Sequence, residues 1–277
     1  MSLAATASRD IAPLGAAFRS SVRDAIRQQA VRRGLDGVLL LSPANIFYAS
    51  GFHFSVNERP VGLYVPVEGE PTLYLPLLEL ENAEPVGLQL GVYDEFPGLV
   101  HPIVWMVCES GASRIAIDGI DARLMAPLRT LVDELVLEDL AAPSRHVKTE
   151  EELALTRVAA SYADLCLERL LGEGGSIIAG GGSELDLLND CVGYALAALK
   201  REHGEAFAGT KLAVSASVHS GPRGALPHGA TSHRRPQRGE TLIAGIGACL
   251  GGYHAESGVT LVVGDMDAEQ RRVMTAM

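Results

Sequence analysis

The chain has 277 residues, 47% of them hydrophobic and 21% charged, with a formal net charge of -11 from 34 acidic and 23 basic side chains. This composition belongs to a folded chain of one large or two ordinary domains and excludes an intrinsically disordered one. The acidic balance argues against nucleic acid and anionic membranes as partners, because both are held by basic footprints.

Cys108, Cys166, Cys191 and Cys249 are widely spaced with no C-x-x-C pair. Free thiols in a reducing cytoplasm are therefore expected rather than a disulfide framework. Cys166 and Cys191 fall in apolar helical patterns, where cysteine acts as a small hydrophobe. No apolar run reaches bilayer length. Met1 to Ala17 has no sustained apolar core after a basic start, so no secretory leader is expected. Met1-Ser2-Leu3 reads equally as a natural start or an expression leader. The short basic pairs Arg32-Arg33 and Arg234-Arg235 read as solvated surface.

In chain order, Arg19 to Arg33 has helical spacing, with Val22, Ile26 and Val31 on one side and Gly34 placed to stop it. Gly37 to Leu41 reads as a buried strand, broken by Ser42-Pro43-Ala44-Asn45. Val61 to Val67 and Pro71 to Pro76 read as strands around Glu68-Gly69-Glu70. Leu77 to Glu84 and Ala122 to Asp133 are expected to be helical, with a strand at Arg114 to Asp118 between them. Such alternation predicts an α/β domain. Ala141 to Ser144 reads as the boundary, giving domains 1–145 and 146–277. A capping box at Thr149 and Glu152 opens a helix that buries Leu155, Val158, Ala159, Tyr162, Leu165 and Cys166. Gly180-Gly181-Gly182 ends it, and Ser183 caps a second helix to about Lys200. Asp267 to Met277 has the pattern of an amphipathic helix. It reads either as a short C-terminal helix or as a point within a longer polypeptide.

The stretch Ser220 to Gly264 concentrates the candidate chemistry. It holds a Pro227-His228-Gly229 turn and an apolar run, Thr241 to Gly247, without a carboxylate. A Gly251-Gly252-Tyr253 turn follows, and then a second run opened by Glu256. The flanking Pro and Gly fix a tight turn that can present the His228 imidazole to a cleft, and histidine titrates near neutrality. The bland reading of His228 is a surface or structural histidine. Glu256 reads as an exposed strand-end carboxylate or as a group orienting a substrate cation, a water or the histidine. His254, two residues earlier, shares its strand face. Arg59 either solvates a loop or grips a carboxylate in bidentate fashion, and Tyr253 reads as a packing residue at the turn.

These residues resemble the pita-bread hydrolase family of methionine aminopeptidase, aminopeptidase P, prolidase and creatinase. Asp36-Gly37-Val38, Ser42-Pro43-Ala44-Asn45 and Tyr48-Ala49-Ser50-Gly51-Phe52 resemble the amino-terminal domain shared by the last three. Val147-Lys148-Thr149 with Glu152-Leu153 resembles the start of the catalytic domain. Ser220-Gly221-Pro222, Pro227-His228-Gly229, Gly239-Glu240 and Gly252-Tyr253 resemble its first half. The resemblance implies an α/β (α+β) fold: a creatinase-type N-terminal mixed-sheet domain, then the first half of a pita-bread catalytic domain.

The family's metallopeptidases bind two divalent ions through two Asp, one His and two Glu. By the resemblance, Gly245 stands where the first Asp belongs and Glu256 where the second does. The remaining His and two Glu would fall beyond Met277. No metal site and no cofactor are therefore expected from the residues shown, Glu256 being a ligand only if a metal is bound. Creatinase works without metal, and His228, Glu256 and Arg59 match its histidine, its carboxylate and an arginine that crosses a dimer interface. The implied function is hydrolysis of a C–N bond (amide, peptide or amidine) in a small amino-acid-like or Xaa-Pro-type substrate. His228 and Glu256 would be catalytic, with Arg59 and His254 binding substrate, in a cytoplasmic homodimer. Two alternatives stay open. One is an Xaa-Pro metallopeptidase using Mn, Zn, Co or Fe and completed by residues outside this chain. The other is a non-catalytic pita-bread binding module.

Overall fold

The computed structural model describes residues 11–94, 100–226 and 228–276. The chain divides into two compact units, one spanning Leu14–Thr149 and the other containing the residues from Glu150 onward.

The first unit comprises α1 (Ala16–Arg32), β1 (Gly37–Leu40), α2 (Pro43–Ser50), β2 (Gly62–Pro66), β3 (Thr72–Pro76), α3 (Leu80–Ala83), β4 (Gln89–Tyr93), α4 (Pro102–Ser110), β5 (Arg114–Ile117), α5 (Met125–Arg129), β6 (Glu134–Leu137) and α6 (Ala142–His146). Its six strands form one mixed sheet in the order β4-β3-β2-β1-β5-β6. β1 pairs antiparallel with β2 and parallel with β5. Side chains alternate across the sheet, so both faces are covered. Val38, Leu40, Leu63, Leu73 and Ala116 pack with Val22 and Ile26 of α1 and Ile46 of α2. Leu39, Tyr64, Tyr74, Ile115 and Ile117 pack with Met106 of α4. Each such fully buried aliphatic side chain stabilises the unit by about 1.5–3 kcal/mol. The mixed α/β architecture expected from the sequence is what the structure has.

Ser42-Pro43-Ala44-Asn45 starts α2 rather than only breaking β1. Ser42 is extended at the N-cap and Pro43 occupies the first turn, where its missing N–H costs nothing. Asp118 fixes this corner by accepting from Leu41 N (2.7 Å), Ser42 N and Asn45 Nδ2 (2.8 Å). Burial pushes the Asp118 carboxyl above its ordinary value, against those hydrogen bonds. The expected helix over Leu77 to Glu84 is a 3-10 turn, Leu77–Glu79, leading into α3. That over Ala122 to Asp133 contracts to a 3-10 turn and α5. The boundary expected at Ala141 to Ser144 is instead the start of α6, within the first unit, and the units divide at Thr149/Glu150.

The second unit contains α7 (Glu150–Ala179), α8 (Glu184–His203), β7 (Leu212–Ser220), β8 (Thr241–Leu250), β9 (Tyr253–Val262) and α9 (Ala268–Ala276). Ser183 and Asp186 form a capping box at the start of α8. Along α7, Leu155, Val158, Ala159, Tyr162 and Cys166 are buried as expected, while Leu165 is half-buried. Arg169 of α7 grips Asp190 of α8 in bidentate fashion at 2.8 and 2.9 Å. The three strands form an antiparallel sheet in the order β7-β8-β9. Gly251 and Gly252, at φ +59° and +85°, make the tight β8–β9 turn that only residues tolerant of positive φ close without strain. Among the described residues, no helix is long and apolar enough to cross a membrane.

Candidate functional site

The β7-β8-β9 sheet has two unlike faces. Leu242, Ala244, Ile246 and Ala248 of β8 are buried on the side where α7 and α8 pack. The opposite face carries cross-strand rows read directly from the register: His219–Ile243–Thr260, Ser217–Gly245–Gly258, Ser215–Gly247–Glu256 and Ala213–Cys249–His254. Gly245, Gly258, Glu256 and His254 are exposed. The sheet thus presents a floor of Gly245, Gly247 and Gly258. Ser215 and Ser217 lie along one side, with Glu256 and His254 along the other.

Glu256 is the fourth residue of β9, opposite Gly247. It does not open the strand, as the sequence suggested, because pairing begins at Tyr253 directly after the two-glycine turn. A mid-strand carboxylate has its direction fixed by the ladder, which a strand-end carboxylate lacks. His254 projects from the same face one row away. Although exposed at its edge, the His254 ring loses some solvation to the surrounding protein, which with Lys211 pushes its imidazole below the ordinary value, and Glu256 opposes them. Tyr253 does more than pack: its hydroxyl donates to Glu152 Oε1 of α7 at 2.8 Å, where Glu152 is 1% exposed.

His228 is exposed on the loop joining β7 to β8, and Pro227 of the same turn lies outside the described residues. Gly229, its neighbour, is held by His219, whose Nε2 lies 2.5 Å from Gly229 O. His219 is 3% exposed at the end of β7. Among the described residues, no direct hydrogen bond or ion pair joins His228 to Glu256. The His219 and Glu256 rows are four residues apart along the strands, roughly 13 Å at 3.3 Å per residue.

The loop itself is anchored by groups that the sequence reading missed. Glu184, at the first turn of α8, has a side chain with no exposed surface. Its Oε1 accepts from the N–H and the hydroxyl of Ser220, both at 2.8 Å. Its Oε2 accepts from Ser232 Oγ at 2.7 Å, Ser232 N at 3.2 Å and Arg223 Nε at 3.2 Å. Burial alone would raise this carboxyl, but the Ser232 and Ser220 hydrogen bonds outweigh it and hold it below the ordinary value. Arg234 is not merely solvated, as its dibasic context suggested. It donates to Ser220 Oγ at 2.7 Å and to both oxygens of Glu240. Arg234 in turn lowers the Glu240 carboxyl. The sequence signal available was Ser183-Glu184 at a helix start, upstream of Ser220 and Arg223.

Arg59 belongs to the first unit. Ser50 Oγ donates to Ile46 O at 2.6 Å, and Gly51 caps α2 at φ +84°, which turns the chain into the buried Phe52. Further on, Arg59 N donates to Asn57 Oδ1 at 2.8 Å and its guanidinium pairs with Glu58 at 2.5 Å. The side chain lines a cavity of ≈ 330 Å³ with Leu41, Phe54, Val56, Ile103 and Asp121.

Gly245 offers no ligand atom. A Cβ built there would sit 3.3 Å from Ser217 Oγ, and its row neighbours, Ser217 and Gly258, supply neither carboxylate nor imidazole. Among the described residues, no three His, Cys, Asp or Glu side chains converge as a metal-binding group. Two hard divalent ions need bridging carboxylates, so the donors of this sheet do not fit a dinuclear centre.

Residues 154–277 match the family described as Metallopeptidase family M24, and residues 23–130 match the Creatinase/Prolidase N-terminal domain. The two matches lie along the chain in the order that the resemblance to the pita-bread hydrolases implies, an N-terminal domain followed by a catalytic one. It is 28% identical over 247 residues to an Xaa-Pro dipeptidase of Pyrococcus furiosus, covering 86% of this chain and 64% of that protein. An uncharacterized peptidase of Staphylococcus aureus is 24% identical over 249 residues, with 86% and 65% covered. The chain therefore spans about two thirds of the length of these relatives. In fold it is similar to the dipeptidase PepE from Mycobacterium ulcerans (TM-score 0.75, 23% identity, 95% of this chain and 70% of that one). It is also similar to a recombinant prolidase from Thermococcus sibiricus (TM-score 0.74, 23% identity, 93% and 69%).

Proposed function

We propose that this chain acts in hydrolysis of a C–N bond in a short, Xaa-Pro-type peptide or amino-acid-like substrate. The observation that carries this reading is the open glycine-floored face of β7-β8-β9, with Glu256 fixed in its ladder and His228 on an anchored loop at its end. The Xaa-Pro dipeptidase name of its relative supports the substrate class. His228 transfers the proton, from water or to the leaving nitrogen, a role that contributes roughly 10²–10⁴-fold in enzymes generally. Glu256, with His254 beside it, holds the substrate's cationic or amide portion. Arg59, supplied by the second copy of a homodimer, grips a carboxylate. The route is creatinase-like because Gly245 removes a carboxylate at which the family's dinuclear chemistry is built. The remaining acceleration comes from positioning and fixed dipoles.

The test is hydrolysis of an Xaa-Pro dipeptide panel by wild type, His228→Ala and Glu256→Gln, with metal content measured in the same preparations. Loss of activity of 10²-fold or more in His228→Ala, without stoichiometric metal in the wild type, is the expected result. Full activity in His228→Ala sinks the assignment of His228. A second reading, a metal-dependent Xaa-Pro peptidase, is favoured by the family description of residues 154–277. Activity that requires stoichiometric Mn, Zn, Co or Fe would establish it in place of the first.

A further inference from the structure

We infer that Glu184 is a positioning residue for His228, acting as a clamp on both ends of the loop that carries it. The inference rests on the reading of His228 as the proton-transfer group, but its geometry is independent of any activity. Glu184 reaches Ser220, where β7 ends, through Oε1, and through Oε2 it reaches both Arg223, just beyond Ser220, and Ser232, on the far side of His228. His228 is thus bracketed in sequence by the contacts of a single carboxylate.

The backbone repeats the clamp. Glu184 N donates to Arg234 O at 2.8 Å and Leu185 N to Ser232 O at 3.0 Å, so the free N–H groups of the α8 first turn are used on the same loop. The middle of the loop is tied separately: Val218 N donates to Thr231 Oγ1 at 2.9 Å, Arg223 donates to Ala230 O, and His219 holds Gly229. An ionised carboxylate suits this place because all five contacts come from donors, three on one oxygen and two on the other. A glutamine has one acceptor oxygen, and its NH2 group would face donors at one end of the loop. Glu184→Gln therefore releases one end of the clamp while keeping side-chain volume.

The experiment is NMR of histidine imidazoles in ¹³C-histidine-labelled protein, comparing wild type, Glu184→Gln and Ser232→Ala. His254 on β9 and His203 in α8 serve as internal references, with unfolding curves measured on the same samples. The expected result is a cooperatively folded Glu184→Gln whose His228 signals shift and broaden while those of His254 stay in place. Ser232→Ala removes only a hydroxyl donor at the far end, so it remains usable if Glu184→Gln fails to fold, and it gives a smaller displacement of the same signals. Folded variants whose His228 signals match wild type overturn the proposal. So does a uniform change at all histidines, which marks a purely structural role. Where the wild type hydrolyses substrate, Glu184→Gln lowers kcat with KM little changed, and Glu184→Asp restores part of the loss. A displaced His228 signal in Glu184→Gln together with full activity in His228→Ala would leave the clamp standing while removing the catalytic reading.

Discussion

A hydroxyl on the hairpin that carries His254 and Glu256 bonds a buried carboxylate of α7, and Tyr253→Phe removes it. The Tyr253 hydroxyl donates to Glu152 Oε1 at 2.8 Å, and Glu152 is 1% exposed. The aromatic ring keeps its packing in the variant, so the apolar contribution is unchanged. What is lost is a hydrogen bond to a carboxylate, worth about 1.5–3 kcal/mol, and a buried oxygen is left with one donor fewer. For a unit of this size each kcal/mol moves Tm by roughly 3–5 °C, so a fall of about 5–15 °C is expected by calorimetry. Urea unfolding of Tyr253→Phe, Glu152→Gln and the double variant closes a thermodynamic cycle. A neutral amide tolerates the missing donor better than a carboxylate, so the coupling should exceed about 1 kcal/mol. A Tyr253→Phe variant within about 0.5 kcal/mol of wild type, or singles that simply add, would refute the idea that this contact fixes the hairpin.

Three further outcomes follow from the same geometry. His203 is buried edge-on against Tyr162 and Phe207 at 5.6 and 6.0 Å, and burial lowers its pKa below 6.5, with Glu202 opposing. Because the folded value is the lower one, His203 contributes stability above pH 6.5 that is lost as pH falls through its folded pKa. Tm measured from pH 8 to about 5 should decline on the acid side of neutrality, with a flatter profile in His203→Phe; an unchanged slope would remove His203 as the cause. Gly251→Ala places a Cβ 2.9 Å from Phe207 Cε1 at φ +59°, and a loss of roughly 1–3 kcal/mol is expected by urea unfolding; a neutral result would show that the turn relaxes. Gly245→Asp needs only a small shift of Ser217 Oγ, 3.3 Å from the new Cβ. Combined with Glu256→Asp it should fold and bind Mn²⁺ or Co²⁺ measurably more tightly than wild type by calorimetry, and equal affinity would show that the glycine is not what weakens the site.

Much of this fold was legible because its signals are local. Gly37 to Leu40 is an uninterrupted apolar run, and all four residues are buried. Gly34 ends α1 at φ +69°, and Gly251-Gly252 closes the hairpin, because each supplies a conformation that other residues resist. The misses share a physical cause. β7 reads Leu-Ala-Val-Ser-Ala-Ser-Val-His-Ser, too poor in large side chains to announce a strand, because Ser215 and Ser217 lie on the open face of the sheet. β4 and β6 are edge strands with exposed positions, so their alternation is weak. α2 was hidden by Pro43, which breaks helices in their interior but opens them at the first turn. In the candidate site, the sequence pointed to His228, His254 and Glu256 through turn chemistry and resemblance. Apart from Ser183-Glu184 at a helix start, nothing in it marked Glu184, Arg234 or His219, because their roles rest on partners 6 to 48 residues away that only the folded chain brings within reach.

The register limits how the missing aspartate at Gly245 could be offset. A neighbouring strand can substitute a ligand only from the same row or the next row on the same face, since Cβ atoms two rows away are already roughly 13 Å distant. The row of Gly245 offers Ser217 and Gly258, and the rows on either side offer His219, Ile243 and Thr260, or Ser215, Gly247 and Glu256. His219 is committed to Gly229 and buried. Glu256 is therefore the one carboxylate on this face within a row of the gap, and a single carboxylate cannot supply the several ligands that two divalent cations need. All three positions in the Gly245 row carry a side chain of one hydroxymethyl or less, so the row has space where a ligand would project. Under the proposed function, that space would take the flat backbone of a substrate directly onto the strand, with Glu256 to orient it and His228 to pass a proton to the departing nitrogen.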